Sequence, residues 1–203
     1  MAIAFDAASS TFDTEVSSVT FSHTVTAGGA DRAIFASPQW MNLAALTVSS
    51  ITYAAAALTE VSGALVTGDD GFGNQEGASH YRRLDPATGA NNVVITMSAT
   101  ADVLAGGANS WTGVHQTTPA GTPATATGVS PTDPTVNVSS AADEFVIAAT
   151  TTFADTAADF TPTGTQMWEE FQAAGPRIFA GQRKTGAATV TMDWTRTATY
   201  YNW

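Results

Sequence analysis

The sequence predicts an all-β fold, a two-sheet antiparallel β-sandwich of jelly-roll-like type. Short runs of β-branched and aromatic residues recur along the 203 residues, separated by clusters of Gly, Pro, Asn and Asp, which is the strand-and-turn signature. No segment carries an amphipathic helical repeat with cap signals at both ends. The runs amount to about a dozen short strands, enough for two stacked sheets.

Residues 1–15 precede the first alternating run and read as an N-terminal arm. The arm is rich in small residues, has no Lys or Arg, and offers Ile3, Phe5 and Phe12 as anchors for a partner. Residues 16–203 read as a single sandwich domain. Val16 to Val25 alternates, with Val19, Phe21, His23 and Val25 on one side of the pleat and Ser18, Thr20, Ser22 and Thr24 on the other. A Gly28-Gly29-Ala30-Asp31 turn leads to a strand at Arg32 to Ala36. Leu46 to Tyr53 and Ala57 to Val61 pair across Ala54 to Ala56, although the run of four alanines equally suits a helical turn.

Gly63 to Gly77 holds five glycines and paired aspartates and reads as a long surface loop. His80 to Leu84 is a strand, Asp85 to Asn91 a turn, and Asn92 to Ser98 the clearest strand of the chain. Val103 to Val114 continues as strand, kinked at Gly106-Gly107. Residues 117–134 are rich in Pro and Thr and read either as an interdomain linker or as a crossing connection within one sandwich. Strand count favours the connection, because neither flank suffices for a sandwich alone and Thr125 to Thr127 and Thr135 to Val138 look like edge strands. Glu144 to Thr150, Ile178 to Arg183, Thr189 to Thr195 and a closing Thr199 to Trp203 complete the set.

One succession of residues carries a family resemblance. Asp31 to Phe35, then Ile51-Thr52-Tyr53 with Ala57-Leu58-Thr59, then Tyr81 to Thr96 resembles a jelly-roll-like module of phage particle proteins and of uncharacterised bacterial proteins. Ser110 to Val114, Glu144 to Ala148 and Val190 to Trp194 fall where that module has its remaining core strands. The shared motifs are strand-core and turn patterns without a catalytic signature, so the resemblance speaks to the fold more than to the task.

Composition narrows the partners. With 18 acidic against 7 basic residues and a net charge of -11, the chain is repelled by phosphate backbones and anionic lipid heads, so neither nucleic acid nor membrane is expected. Cysteine is absent, which removes disulfides and thiolate chemistry. The N-terminus lacks the basic and apolar regions of a secretory signal, so a chain that starts at its natural Met1 is expected to fold in the cytoplasm of its host.

Catalytic and cofactor motifs are sparse. His23, His80 and His115 sit in no zinc-ligand spacing, and neither a Gly-x-Ser-x-Gly elbow nor a P-loop occurs. Asp69, Asp70, Asn74 and Glu76 form an oxygen-rich cluster that misses the EF-hand spacing, so no metal is expected. Adjacent strand residues such as Glu169 and Glu170 point to opposite faces and make a poor glycosidase pair. Trp40 and Trp168 lie in less regular segments and are the candidates for stacking on a sugar.

The expected function, implied by the resemblance together with the missing signal and cysteines and the low charge, is non-enzymatic. It is that of a virion component of a tailed phage or phage-like particle: an outer capsid decoration or cement protein docking on the major capsid protein or other virion proteins. The alternative is a glycan-binding head-fibre or tail-fibre module that contacts the host surface. Assembly as a homo-oligomer is compatible with either.

Overall fold

The computed structural model describes residues 2–71, 73–128, 132–153, 156–175, 177–197 and 203. The strands are β1 (Ala4–Val25), β2 (Ala33–Asn42), β3 (Val48–Tyr53), β4 (Ala56–Ala57), β5 (Thr59–Glu60), β6 (Val66–Asp69), β7 (Gln75–Ala78), β8 (Tyr81–Leu84) and β9 (Gly89–Thr112). They continue with β10 (Thr135–Val138), β11 (Phe145–Phe153), β12 (Phe160–Pro162), β13 (Thr165–Gln172), β14 (Arg177–Thr185) and β15 (Val190–Arg196), and a 3-10 turn lies at Ala157–Asp159. Every ladder is antiparallel. The protein is all-β, with curled sheets stacked face to face in the manner of a β-sandwich.

Strand β9 organises the first sheet. One of its edges carries β1 from Ala4↔Thr112 to Val25↔Gly89, while the other carries β2 along Val103 to Trp111 and β3 along Val93 to Met97. At the corner the ladder jumps from Val16↔Ala101 to Ser18↔Thr96, so β9 spends several residues where β1 spends one, and Glu15 takes a left-handed φ of 56°. Bulges of this kind bend a strand from one layer into another. The bend is sharp. Ser9 and His23 lie 14 apart in the same strand, about 46 Å if it ran straight, yet their side chains are 2.8 Å apart. The two halves of the sheet thus face one another across Val19, Phe21, Ile34, Trp40, Ile51 and Ile95.

The remaining strands stack outside this bent sheet. β11, β14 and β13 form a three-stranded sheet whose inner face (Phe145, Ile147, Phe179) packs on Phe35, Trp111, Val103 and Ala105. Its outer face (Val146, Ala148, Ile178, Ala180) meets Val190, Met192 and Trp194 of the sheet β10-β15-β12. A sheet covered on both faces needs apolar residues on both, which is why Ile178-Phe179-Ala180 is a continuous apolar run.

Several expectations are corrected. Residues 4–15 are no arm: they are the first half of β1 and pair with β9 as far as Thr112. The stretch from Gly63 to Gly77 is not one long loop, because it holds the hairpin of β6 and β7. The alanine run makes a hairpin turn rather than a helical one, with Ala54 and Ala55 both left-handed at φ 49° and 62°. Thr125 to Thr127 join no ladder, whereas Thr135 to Val138 are β10. The closing strand expected at Thr199 to Trp203 lies outside the described residues except for Trp203, whose backbone exchanges two 3.0 Å hydrogen bonds with Gly128.

Candidate functional site

The residues expected to meet a partner are occupied inside the protein. Phe5 packs edge-on against Trp111 at 5.3 Å, with the Arg183 guanidinium 4.4 Å from its ring centre. Ile3 packs in that same cluster, and Phe12 lies against Val103, Ala105 and Phe179 beneath the second sheet. None of the three is an arm anchor. Trp40 is 1% exposed and Trp168 5%, so neither presents a face to a sugar. Both indoles lie against glycine: a Cβ on Gly77 would sit 2.2 Å from Trp40, and Cβ atoms on Gly107 and Gly181 would sit 2.0 and 2.2 Å from Trp168.

The acidic cluster of the β6–β7 hairpin does different work from ligand binding. Asp70 and Glu76 are buried and both meet the buried Arg177 at the start of β14, Asp70 at 2.5 Å, while the Phe153 ring lies 4.0 Å from the guanidinium. Asp70 also receives the Asn74 backbone and side-chain N–H groups at 3.0 and 2.6 Å. Asp69 is exposed and takes the Gly71 N–H. Burial works against the Arg177 charge and lowers its pKa, and Asp70 opposes that effect. Removing one partner from such a cluster leaves an uncompensated buried charge. Arg177, immediately before the apolar run Ile178-Phe179-Ala180, is a sequence sign of a buried charge that needs partners, but nothing local names Asp70 and Glu76 as those partners.

A second network, buried at His23 and Ser110 and half-buried at its ends, runs Ser9–His23–Ser110–Asp6. Ser110 Oγ donates to Asp6 Oδ2 at 2.7 Å. Its single proton being spent, it accepts from His23 Nε2 at 3.0 Å, which leaves Nδ1 to accept the Ser9 hydroxyl at 2.8 Å. Burial pushes His23 down to about 4, against the pull of Asp6, so the ring is neutral. For Asp6, burial acts upward but is outweighed by hydrogen bonds from Thr26 and Ser110 and by the nearby His23, which hold the carboxyl below its ordinary range. The network ties the start of β1 to its end across the bend. It resembles a nucleophile relay in composition, but its histidine is 1% exposed.

The open chemistry lies elsewhere, in a cleft of about 760 Å³ between the first sheet and the leading end of β11. Its floor is apolar, formed by Phe35, Trp111, Phe145 and Ile147. Asp31, Asp143 and Glu144 supply its charges, and no Lys or Arg lines it. Glu144 accepts from Ser140 Oγ and the Ala141 N–H at 2.8 Å, which holds it below the usual carboxylate range. His80, hydrogen-bonded through Nδ1 to Ser37 at 2.8 Å, is pushed by burial to about 4. The outer wall is the Pro/Thr-rich segment Thr117 to Pro123. His115 pins its start: Nδ1 accepts the Thr118 N–H at 3.0 Å and lies 2.9 Å from the Thr118 hydroxyl, which puts the ring proton on Nε2. This cleft was not legible in the sequence, because its wall looked like a plain crossing connection and its floor like ordinary core.

The fold and the cleft together define an all-β antiparallel protein with a concave, acidic, aromatic-floored surface. Comparison with protein families, with characterised proteins and with solved structures found no match to this chain. Among the described residues no helix is long and apolar enough to cross a membrane, and no group of three or more His, Cys, Asp or Glu is placed to hold a metal ion.

Proposed function

We propose that the protein is a structural virion component of a tailed phage or phage-like particle, an outer capsid decoration or cement protein that docks on the shell lattice. The observation that carries this reading is the free edge of β1. Over its whole length β1 forms a ladder with β9 alone, so its other edge joins no ladder among the described residues; its first half lies against β13, where Ser10 Oγ donates to Glu170 at 2.7 Å, and the open stretch is Val16 to Val25. Edge strands are normally guarded by Lys, Pro or inward charges. β1 contains no Lys, Arg or Pro, and from Val16 to Val25 it contains no charged residue except the potential cation His23, which is buried and neutral. Ser18, Thr20, Ser22 and Thr24 line its exposed face. Such an edge accepts a strand from a partner through main-chain hydrogen bonds, and a shell presents many identical partners. The resemblance to phage particle modules supports the same assignment.

The test is occupancy on native particles. Thr20→Lys with Ser22→Lys alters two exposed side chains and guards the edge. The wild-type protein is expected at regular capsid positions by electron microscopy, and the variant is expected to be lost from them while keeping its melting temperature. Full occupancy of the variant, or localisation of the wild type to a fibre tip, overturns the reading.

A further inference from the structure

We infer that the cleft between residues 117–123 and the start of β11 is a binding site for an extended, basic peptide segment of a partner protein. Three observations converge on that occupant. First, about 760 Å³ is within the range of roughly 300–1,000 Å³ typical of ligand sites, and the apolar floor has room for aliphatic side chains. Second, the lining charges are the carboxylates Asp31, Asp143 and Glu144 without one Lys or Arg, in a chain of net charge -11. Anions are repelled, and a Lys or Arg side chain is attracted. Third, residues 119–123 of the wall have no regular secondary structure and make no hydrogen bond to the described protein, whether from backbone or side chain. A wall segment whose N–H and C=O groups are unpaired offers them to the backbone of a bound peptide.

A glycan fits less well. The Trp111 ring is already covered by Phe5 at 5.3 Å and Phe145 at 5.0 Å, and the Arg183 guanidinium lies 5.8 Å from its centre. Trp111, 2% exposed, therefore keeps no open face for a sugar to stack on. Peptide recognition needs no such face, only ladder partners, a floor for alternate side chains and counter-charges. The inference rests on the proposed function for the source of the segment, a chain of the shell, and on the cleft alone for its chemistry.

The experiment titrates isotope-labelled full-length protein with a blocked hexapeptide of alternating valine and lysine, followed by backbone amide shifts. Saturable shifts are expected in residues 118–122 and 143–147. The valine–glutamate counterpart should produce none, and Asp31→Asn with Asp143→Asn should weaken binding at least ten-fold. Both aspartates are exposed, so the fold should be unaffected. Ala120→Pro, which removes a wall N–H without changing charge, should weaken binding several-fold. Equal shifts with the glutamate peptide, no shifts with either, or saturable binding of a neutral trisaccharide in place of the lysine peptide overturns the assignment. On particles, the aspartate double variant should lose occupancy. If it decorates normally, the inferred shell segment is refuted while the proposed function stands. If wild type fails to decorate yet the lysine peptide binds, the proposed function fails and the cleft assignment stands.

Discussion

Substituting Trp168 should unseat the second sheet from the first. The indole lies on β13 and is 5% exposed, and it reaches both Gly107 of β9 and Gly181 of β14. Replacing it with alanine removes the aromatic surface and leaves a void, a change that costs about 3–5 kcal/mol in well-packed interiors. For a chain of this length that corresponds to a drop in melting temperature of roughly 6–20 °C. The complementary perturbation is Gly107→Ala, whose new Cβ would stand 2.0 Å from the indole. Because an ordinary contact needs well over an ångström more, overpacking of about 1–3 kcal/mol is expected. In the Trp168→Ala background the same methyl enters empty space and should cost nothing or recover stability, giving a coupling energy of about 1–3 kcal/mol. Urea denaturation of the four proteins measures it. If Trp168→Ala is neutral to within about 0.5 kcal/mol, as expected for an exposed surface residue, or if the two changes are additive, the packing argument is wrong.

Three other outcomes follow from the buried groups and the strained turn. Arg177→Met strands Asp70 and Glu76 without their counter-charge and should cost about 3–5 kcal/mol by chemical denaturation; a loss below 1 kcal/mol would show that the carboxylates are solvated or protonated. His23 and His80 take up a proton at about 4 in the folded chain and near 6.5 when unfolded. The unfolded state therefore binds protons first as pH falls, so stability is complete above pH 6.5 and declines toward pH 4, by roughly 3 kcal/mol per histidine; His23→Gln should flatten that decline, and an unchanged slope would count against a neutral buried imidazole. Ala54→Asn with Ala55→Gly places turn formers at two left-handed positions now held by alanine and should raise stability by about 1–2 kcal/mol in thermal melts.

The class of fold was legible because strands such as Val93 to Met97 alternate buried and outward residues in the pattern their pleat requires. The first half of β1 was not, and the reason is its partner. Ser9, Ser10 and Thr11 lie opposite Ala108, Gly107 and Gly106, a close approach between small residues that reads as a flexible arm when seen one strand at a time. Glycine misled in the β6–β7 hairpin for a related reason: Gly77 is there to receive the Trp40 ring, not to loosen a loop. Pro38 made β2 look shorter than it is. It sits where the far edge of β2 passes from β8 to β7, the one place along that edge where a missing N–H breaks no ladder. The ion cluster and the cleft both depend on segments about a hundred residues apart meeting in space, which local patterning cannot encode.

The central position of β9 sets a schedule for biosynthesis. β1, β2 and β3 all await a strand that begins only at Gly89 and is complete at Thr112. At about 5–20 residues per second, the ribosome holds the first strand without its ladder for on the order of ten seconds. During that interval a stretch free of lysine and proline is exposed on both edges instead of one, at the stage when pairing between neighbouring nascent chains is easiest. Slowing translation between Val25 and Gly89 should therefore lower soluble yield without altering the stability of the molecules that do fold, and a chaperone that shields extended segments should restore it.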